Sequence, residues 1–220
     1  MFKKKNVKPP LSSFVEQEEG GLLMKRLIDW IDNDDIDKLV IVLVVIAGIS
    51  SILVPAVLVI FAQELFMYDP GAFLFEHPSA AYLIVGAGFL IVTAAGILYF
   101  AFKSLWDRHH PLFGGAVTLF LMVFSLPVAY VGLMHYFYMD DDQFVYNDVW
   151  TLEERAYAWE DIDVVELLTE EEGGSRSYDG LKIHTNEGTV YELSMGGGVT
   201  QQRSRILEAV EAAGGTVTRS

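Results

Sequence analysis

Long uncharged runs dominate the middle of the chain. Leu39 to Ala62 holds no charged residue, and at about 1.5 Å per residue such a helix crosses a hydrocarbon layer of about 30 Å. Ala80 to Phe102 and Pro111 to Tyr138 repeat the pattern, with Tyr82, Tyr99, Trp106, Tyr136 and Tyr138 near their ends, where aromatic side chains anchor a helix at a membrane surface. Three transmembrane helices are therefore predicted over residues 39–62, 80–102 and 111–138, forming a helical domain of residues 37–139. Pro55 and Pro127 lie inside the first and third runs and are expected to kink them, a fault that membrane helices tolerate when neighbours take up the freed carbonyls.

The flanks read differently. Residues 1–36 form a lead-in with Lys3, Lys4, Lys5 and Lys8, then Pro9 and Pro10 and an acidic stretch; no apolar stretch follows, so a cytosolic segment is expected and not a cleaved signal. Over residues 20–33, Leu22, Leu23, Leu27, Trp30 and Ile31 recur at helical spacing opposite Lys25, Arg26 and Asp29, which predicts a short amphipathic helix lying on the inner leaflet. The acidic cluster Asp32 to Asp37 is expected to end that helix and mark the water boundary.

From residue 140 onward the period changes to that of strands. Phe144 to Tyr146, Val149 to Tyr157, Ile162 to Leu168, Leu181 to His184 and Thr189 to Leu193 are β-rich, with Gly173 to Ser177 a turn and Asn186 to Gly188 a hairpin loop. Thr200 is the expected N-cap of a helix reaching about Ala213, with Ile206, Leu207 and Val210 on one face and Gly214-Gly215 stopping it. The predicted fold class is thus a three-helix membrane domain plus a small α+β domain, residues 140–220, in which an antiparallel sheet or partial barrel is closed by a C-terminal helix.

Small residues add a docking face. Ala80, Ala87, Ala94 and Ala101 recur every seven residues along the second span, flanked by Ala81, Gly88 and Ala95 at the same interval. Without a hydrophobic drive between helices in lipid, such a stripe marks close backbone packing, against the first or third span or against a partner helix. No Asp, Glu, Lys or Arg lies within the three runs, which argues against a proton relay or a charged transport path.

Charge sets an orientation. The whole chain has a formal net charge of -15, and residues 140–220 hold 18 acidic against 6 basic residues. So acidic a domain repels nucleic acid and anionic head groups. Seven Lys and Arg precede the first span, none separates the first from the second, and Lys103 and Arg108 lie between the second and third. By the positive-inside rule the N-terminus is cytoplasmic and the acidic domain extracytoplasmic. Cysteine is absent, which excludes disulfides and thiol chemistry.

The stretch Tyr157-Ala158-Trp159-Glu160-Asp161-Ile162, then Val164, then Gly180, Leu181 and Ile183 ahead of Thr189 to Leu193 and a helix, resembles the bacterial pleckstrin-homology-like domains attached to multi-pass membrane anchors. In that family the Tyr-x-Trp element ends one strand and starts the next. The resemblance covers about residues 143–214, although the strands read here fall short of a seven-stranded barrel. It implies a binding or scaffolding module and no catalysis.

Candidate chemistry is thin. His109-His110 beside Asp107 reads as a juxtamembrane turn, since adjacent histidines seldom serve one metal ion. His135 is expected at the interface and His184 on a solvent-facing strand position. Asp140 to Asp142 lacks the glycine and terminal glutamate of a calcium loop, and Glu170 to Glu172 reads as a loop tip. Gly196 to Gly198 lacks the lysine of a phosphate cradle. No Ser-His-Asp set is visible, and no cofactor or metal is expected. Trp150 and Trp159 are expected mostly in the core, with Tyr146 and Trp150 the candidates for a contact surface.

The function expected is a non-enzymatic membrane protein displaying a pleckstrin-homology-like interaction domain, an accessory or scaffolding subunit of a bacterial envelope complex. Its expected partners are the lipid bilayer and another membrane or envelope protein, a second copy of the chain included. The alternative is a small subunit of a transport, export or self-immunity system that docks through the second span.

Overall fold

A computed structural model describes residues 33–105, 111–172, 175–194 and 196–219. The amphipathic segment, Trp106 and the His109-His110 pair lie outside the described residues. The chain forms three long helices, α1 (Asn33–Phe66), α2 (Ser79–Ala101) and α3 (Pro111–Leu133). All three are long and apolar enough to cross a membrane, and their outer faces expose side chains such as Ile52, Leu83 and Phe120.

α2 lies between the other two. Toward α1 it presents Gly86, where an added Cβ would come 3.0 Å from the Ser51 carbonyl oxygen and 3.6 Å from the Pro55 ring. Proline has no N–H to give the carbonyl four residues earlier, so Pro55 frees that Ser51 oxygen and the bare Gly86 backbone closes over it. Toward α3, α2 presents Ala81, Val85 and Gly88 against Ser125, Ala129 and Gly132. At the opposite end of the bundle, Asp37 accepts hydrogen bonds from the Tyr99 hydroxyl, at 3.0 Å, and from Lys103.

The remaining elements are β1 (Leu74–Glu76), β2 (Phe137–Met139), β3 (Gln143–Asn147), β4 (Glu154–Ala158), β5 (Ile162–Glu172), β6 (Ser175–Thr185), β7 (Val190–Ser194), α4 (Gly197–Ala212) and β8 (Thr216–Arg219). They build two four-stranded sheets, in the orders β1-β2-β3-β4 and β7-β6-β5-β8. All pairings are antiparallel except β5 with β8, which is parallel. Phe137, Met139, Phe144 and Tyr157 from the first sheet, with Trp159 in the short 3-10 turn after β4, pack with Val165, Leu167, Leu181, Ile183 and Leu193 from the second. Val199, Ile206 and Val210 of α4 complete this core.

Several boundaries differ from the sequence reading, each for a physical reason. α1 is helical from Asn33, inside the acidic cluster, where Asp37 is held by Tyr99 of α2 and by Lys103 just past its end. The third helix stops at Leu133, and Phe137 to Met139 is a strand with both faces covered: Phe137 and Met139 enter the main core, while Tyr136 and Tyr138 pack with Val145, Met67, Ala72 and Phe75. The sheet domain therefore begins before residue 140 and borrows β1 from the α1–α2 connection. Residues 148–153 are a turn, so Val149 to Tyr157 is not one strand. Glu172 pairs with Ser175, so Glu170 to Glu172 belong to β5. Asp140 is no loose linker: its carboxylate accepts the N–H groups of Asp142 and Gln143, both at 2.8 Å, in the β2–β3 turn. α4 starts at Gly197 and not after Thr200, and β8 was not expected.

Candidate functional site

The described residues concentrate their polar chemistry where the sheets meet the helix ends. Gln63, in the last turn of α1, is fully buried. Its amide nitrogen donates to the carbonyls of Leu133 and His135, both at 2.9 Å. Its amide oxygen lies 2.7 Å from Nδ1 of His77. With both amide protons directed at carbonyls, that oxygen is an acceptor, so His77 carries its proton on Nδ1. His135 is buried as well, and its Nδ1 lies 2.9 Å from the Asn147 carbonyl. A carbonyl only accepts, so His135 adopts the same tautomer. His135 is thus a structural residue of the joint and not a surface one.

Burial pushes both imidazoles below their ordinary pKa; for His77 the carboxylates of Glu64 and Glu76 oppose the shift, and for His135 the Asn147 carbonyl and Asp148 do. The unfolded chain then takes up protons before the folded one, so stability from these groups is full above about pH 6.5 and falls as pH drops below it. Melting temperature measured in a lipid nanodisc is expected to decline from pH 7 to pH 5, and His135→Gln should flatten that decline. An unchanged slope in the variant would contradict the assignment. Tyr136, beside this joint, is pushed up to about 12 by burial and by its 2.6 Å bond to Glu154.

A cleft of about 380 Å³ opens beside the joint, lined by Glu76, His77, Tyr82, His135, Tyr146 and Glu192 among others. Glu76 reaches from β1 to the N-terminus of α4: its carboxylate accepts the Val199 N–H at 3.2 Å. A carboxylate at a helix N-terminus satisfies an orphan donor and complements the dipole, which explains why α4 begins without a local cap. A Cβ at Gly198 would run into the Glu76 carboxylate and a Leu74 methyl, so any larger residue there would push these side chains aside.

The residues singled out from sequence are dispersed. Gly88 and Ala95 are buried between helices, Ala80 and Ala87 are half-buried, and Ala94 and Ala101 are exposed. The inward small-residue series is thus Ala81-Gly88-Ala95, one position along from the alanine series, while Ala94 and Ala101 are left on an outer face. Tyr146 is half-buried in an aromatic cluster, 4.5 Å from the Tyr191 ring and 5.5 Å from His135. Trp159 is buried and its indole N–H donates to the Asp140 carbonyl at 3.2 Å. Trp150 is the opposite of a core residue: it is 90% exposed. His184 is half-buried, 3.7 Å from Glu166. Among the described residues no group of three or more His, Asp or Glu is placed to hold a metal ion.

Sequence reasoning missed Gln63, His77 and Glu76. A glutamine at the end of an uncharged run was the available signal, because a buried amide demands partners. Against known protein families, curated proteins and solved structures, the chain finds no match.

Proposed function

We propose that the three helices cross a bacterial membrane and hold the sheet domain as a pleckstrin-homology-like interaction module on its extracytoplasmic side, the whole serving as a non-enzymatic accessory or scaffolding subunit of an envelope complex. The observation that carries this reading is the joint. β1 comes from the α1–α2 connection, β2 follows α3, and Gln63 ties α1 to the α3–β2 segment, so the module is held rigidly to its anchor. A rigid mount suits a display platform better than a tethered one, because a fixed surface loses less freedom on binding.

The pleckstrin-homology-like reading is supported by strand count. β1 to β4 form one sheet, β5 to β7 lie in the other, and α4 follows; of the two strands missing from the sequence count, β1 is supplied from between α1 and α2 and β2 from the chain just after α3. β8 is an addition to that plan. Within the membrane, the exposed Ala94 and Ala101 favour contact with a partner helix or a second copy of the chain, which also keeps the export or self-immunity reading open.

Two measurements test the proposal. In the cysteine-free chain, Glu187→Cys should react with an impermeant thiol reagent on intact cells and Ser104→Cys should not; the reverse pattern would invert the orientation. Ala94→Leu with Ala101→Leu should leave the melting temperature unchanged, since both side chains face outward. The same pair should abolish co-purification with an intramembrane partner, whereas a purely extracytoplasmic scaffold would keep its partner.

A further inference from the structure

We infer, on the membrane-crossing reading above, that the β3–β4 turn is a membrane-interface anchor that seats Trp150 and Leu152 in the head-group layer of the bilayer the helices cross. The register gives its direction. The Glu76–Phe137 rung is the end of the β1–β2 pair nearest the helices, since His77 and Pro78 lead directly into α2, and the Leu74–Met139 rung is the far end. β3 is antiparallel to β2, so Gln143 is far from the helices and Asn147 is near. The Asn147 N–H donates to the Tyr136 carbonyl at 2.9 Å, and its own carbonyl accepts from His135. Asn147 therefore stands at the height of the residues just after α3.

Residues 148–153 continue in that direction. Two to three residues at about 3.3 Å each carry the apex roughly 7–10 Å past Asn147, a drop that brings it to roughly the height of Tyr130 at about 1.5 Å per helical residue. Tyr130 is itself exposed, as is Tyr68 at the same end of α1. In the order β1-β2-β3-β4 the first two strands join the helices and the next two lie to one side, so the turn overhangs the space beside α3. That space is lipid.

The turn is built to present what it carries. Asp148 accepts the N–H groups of Trp150 at 2.6 Å and Thr151 at 3.2 Å on one carboxylate oxygen. The Leu152 N–H donates to the Asp148 carbonyl at 2.9 Å. Leu152 sits at φ 54°, a left-handed conformation that glycine adopts freely and a leucine does not. A strained leucine here displays an apolar side chain beside Trp150, whose flat ring and single N–H suit the boundary between hydrocarbon and water. Glu153 on the same turn is exposed, which matches a zwitterionic surface and disfavours an anionic one.

The test uses the full chain in phosphatidylcholine nanodiscs with one nitroxide label at a time, on Thr151→Cys, Leu126→Cys or Glu187→Cys. Leu126 is on the outer face of α3, and Glu187 lies at the far end of the domain, beside Asn186, which is bonded to Asp161. Collision rates with oxygen and with a water-soluble nickel chelate give depth. Thr151 is expected to show an oxygen-to-nickel ratio several-fold above Glu187 and below Leu126, falling to the Glu187 value when Trp150→Ser is added. A Thr151 ratio equal to that of Glu187, or shielding from both reagents by a protein neighbour, would overturn the anchor while Leu126 still reads as lipid-facing. A Leu126 label that reads as aqueous would overturn the membrane-crossing reading itself.

Discussion

Gly132→Leu is expected to separate α2 from α3 and lower stability by about 3 kcal/mol or more, toward the upper end for overpacked cores. A Cβ at position 132 would lie 2.8 Å from a methyl of Val85, 2.9 Å from the Ala81 carbonyl oxygen and 2.9 Å from the Val85 nitrogen. Two of those three atoms are backbone, so no rotamer change on α2 clears the space and the helices must move apart. Ala81 and Val85 are both fully buried at this contact, and dispersion across it falls steeply with a gap of even half an ångström. The measurement is thermal unfolding of the purified protein in nanodiscs, where a change of this size corresponds to a drop of roughly 6–12 °C for a chain of this length. Adding Val85→Ala removes the methyl contact and leaves the backbone contacts, so it should not restore stability. Full rescue by Val85→Ala would mean that the approach is limited by that side chain alone.

The helices were legible because length without charge is a signal that needs no tertiary knowledge. Their ends were not, since Tyr136 to Met139 prolong the apolar run of α3 while obeying a strand period buried on both faces. β1 is three residues inside a connection, too short for any periodicity, and its partner lies more than sixty positions away. The sequence of α2 shows two adjacent series of small residues at the seven-residue interval, and only contacts such as those of Gly88 with Ser125 and Ala129 decide which one faces inward. The 90% exposure of Trp150 overturns its reading as mostly core. The readable sign against that was Asp148, whose short carboxylate turns the chain by capping its own backbone two and three residues on. The joint was invisible for a deeper reason. Gln63, His77 and His135 are spread over seventy-two positions, and nothing in any one of them announces the other two.

Gln63→Leu is expected to be the most damaging change that leaves chain volume nearly constant. The amide satisfies the Leu133 and His135 carbonyls and the His77 ring, and its site has no access to water. Leucine fills the space and strands both carbonyls, while the half-buried His77 ring loses its acceptor beside the cleft; leaving a buried polar group unpaired costs about 1–3 kcal/mol, so a loss of roughly 2–5 kcal/mol follows. The Leu133 carbonyl belongs to the last turn of a helix, where the intrahelical donor is already missing, which is why a side chain from α1 is needed there. The damage should be local before it is global. With the clasp gone, β2 loses its fixed take-off from α3, and amide hydrogen exchange should rise first at Tyr136 to Met139 and at Leu74 to Glu76, while the β5–β6 pair keeps its protection. Gln63→Glu separates geometry from charge: it keeps the shape but presents a second acceptor to two carbonyls, and it should destabilise at pH 7 at least as much as leucine does. Uniform loss of protection across both sheets would mean that Gln63 supports the fold as a whole, and undisturbed exchange at β1 and β2 would show that the strands hold the joint without it.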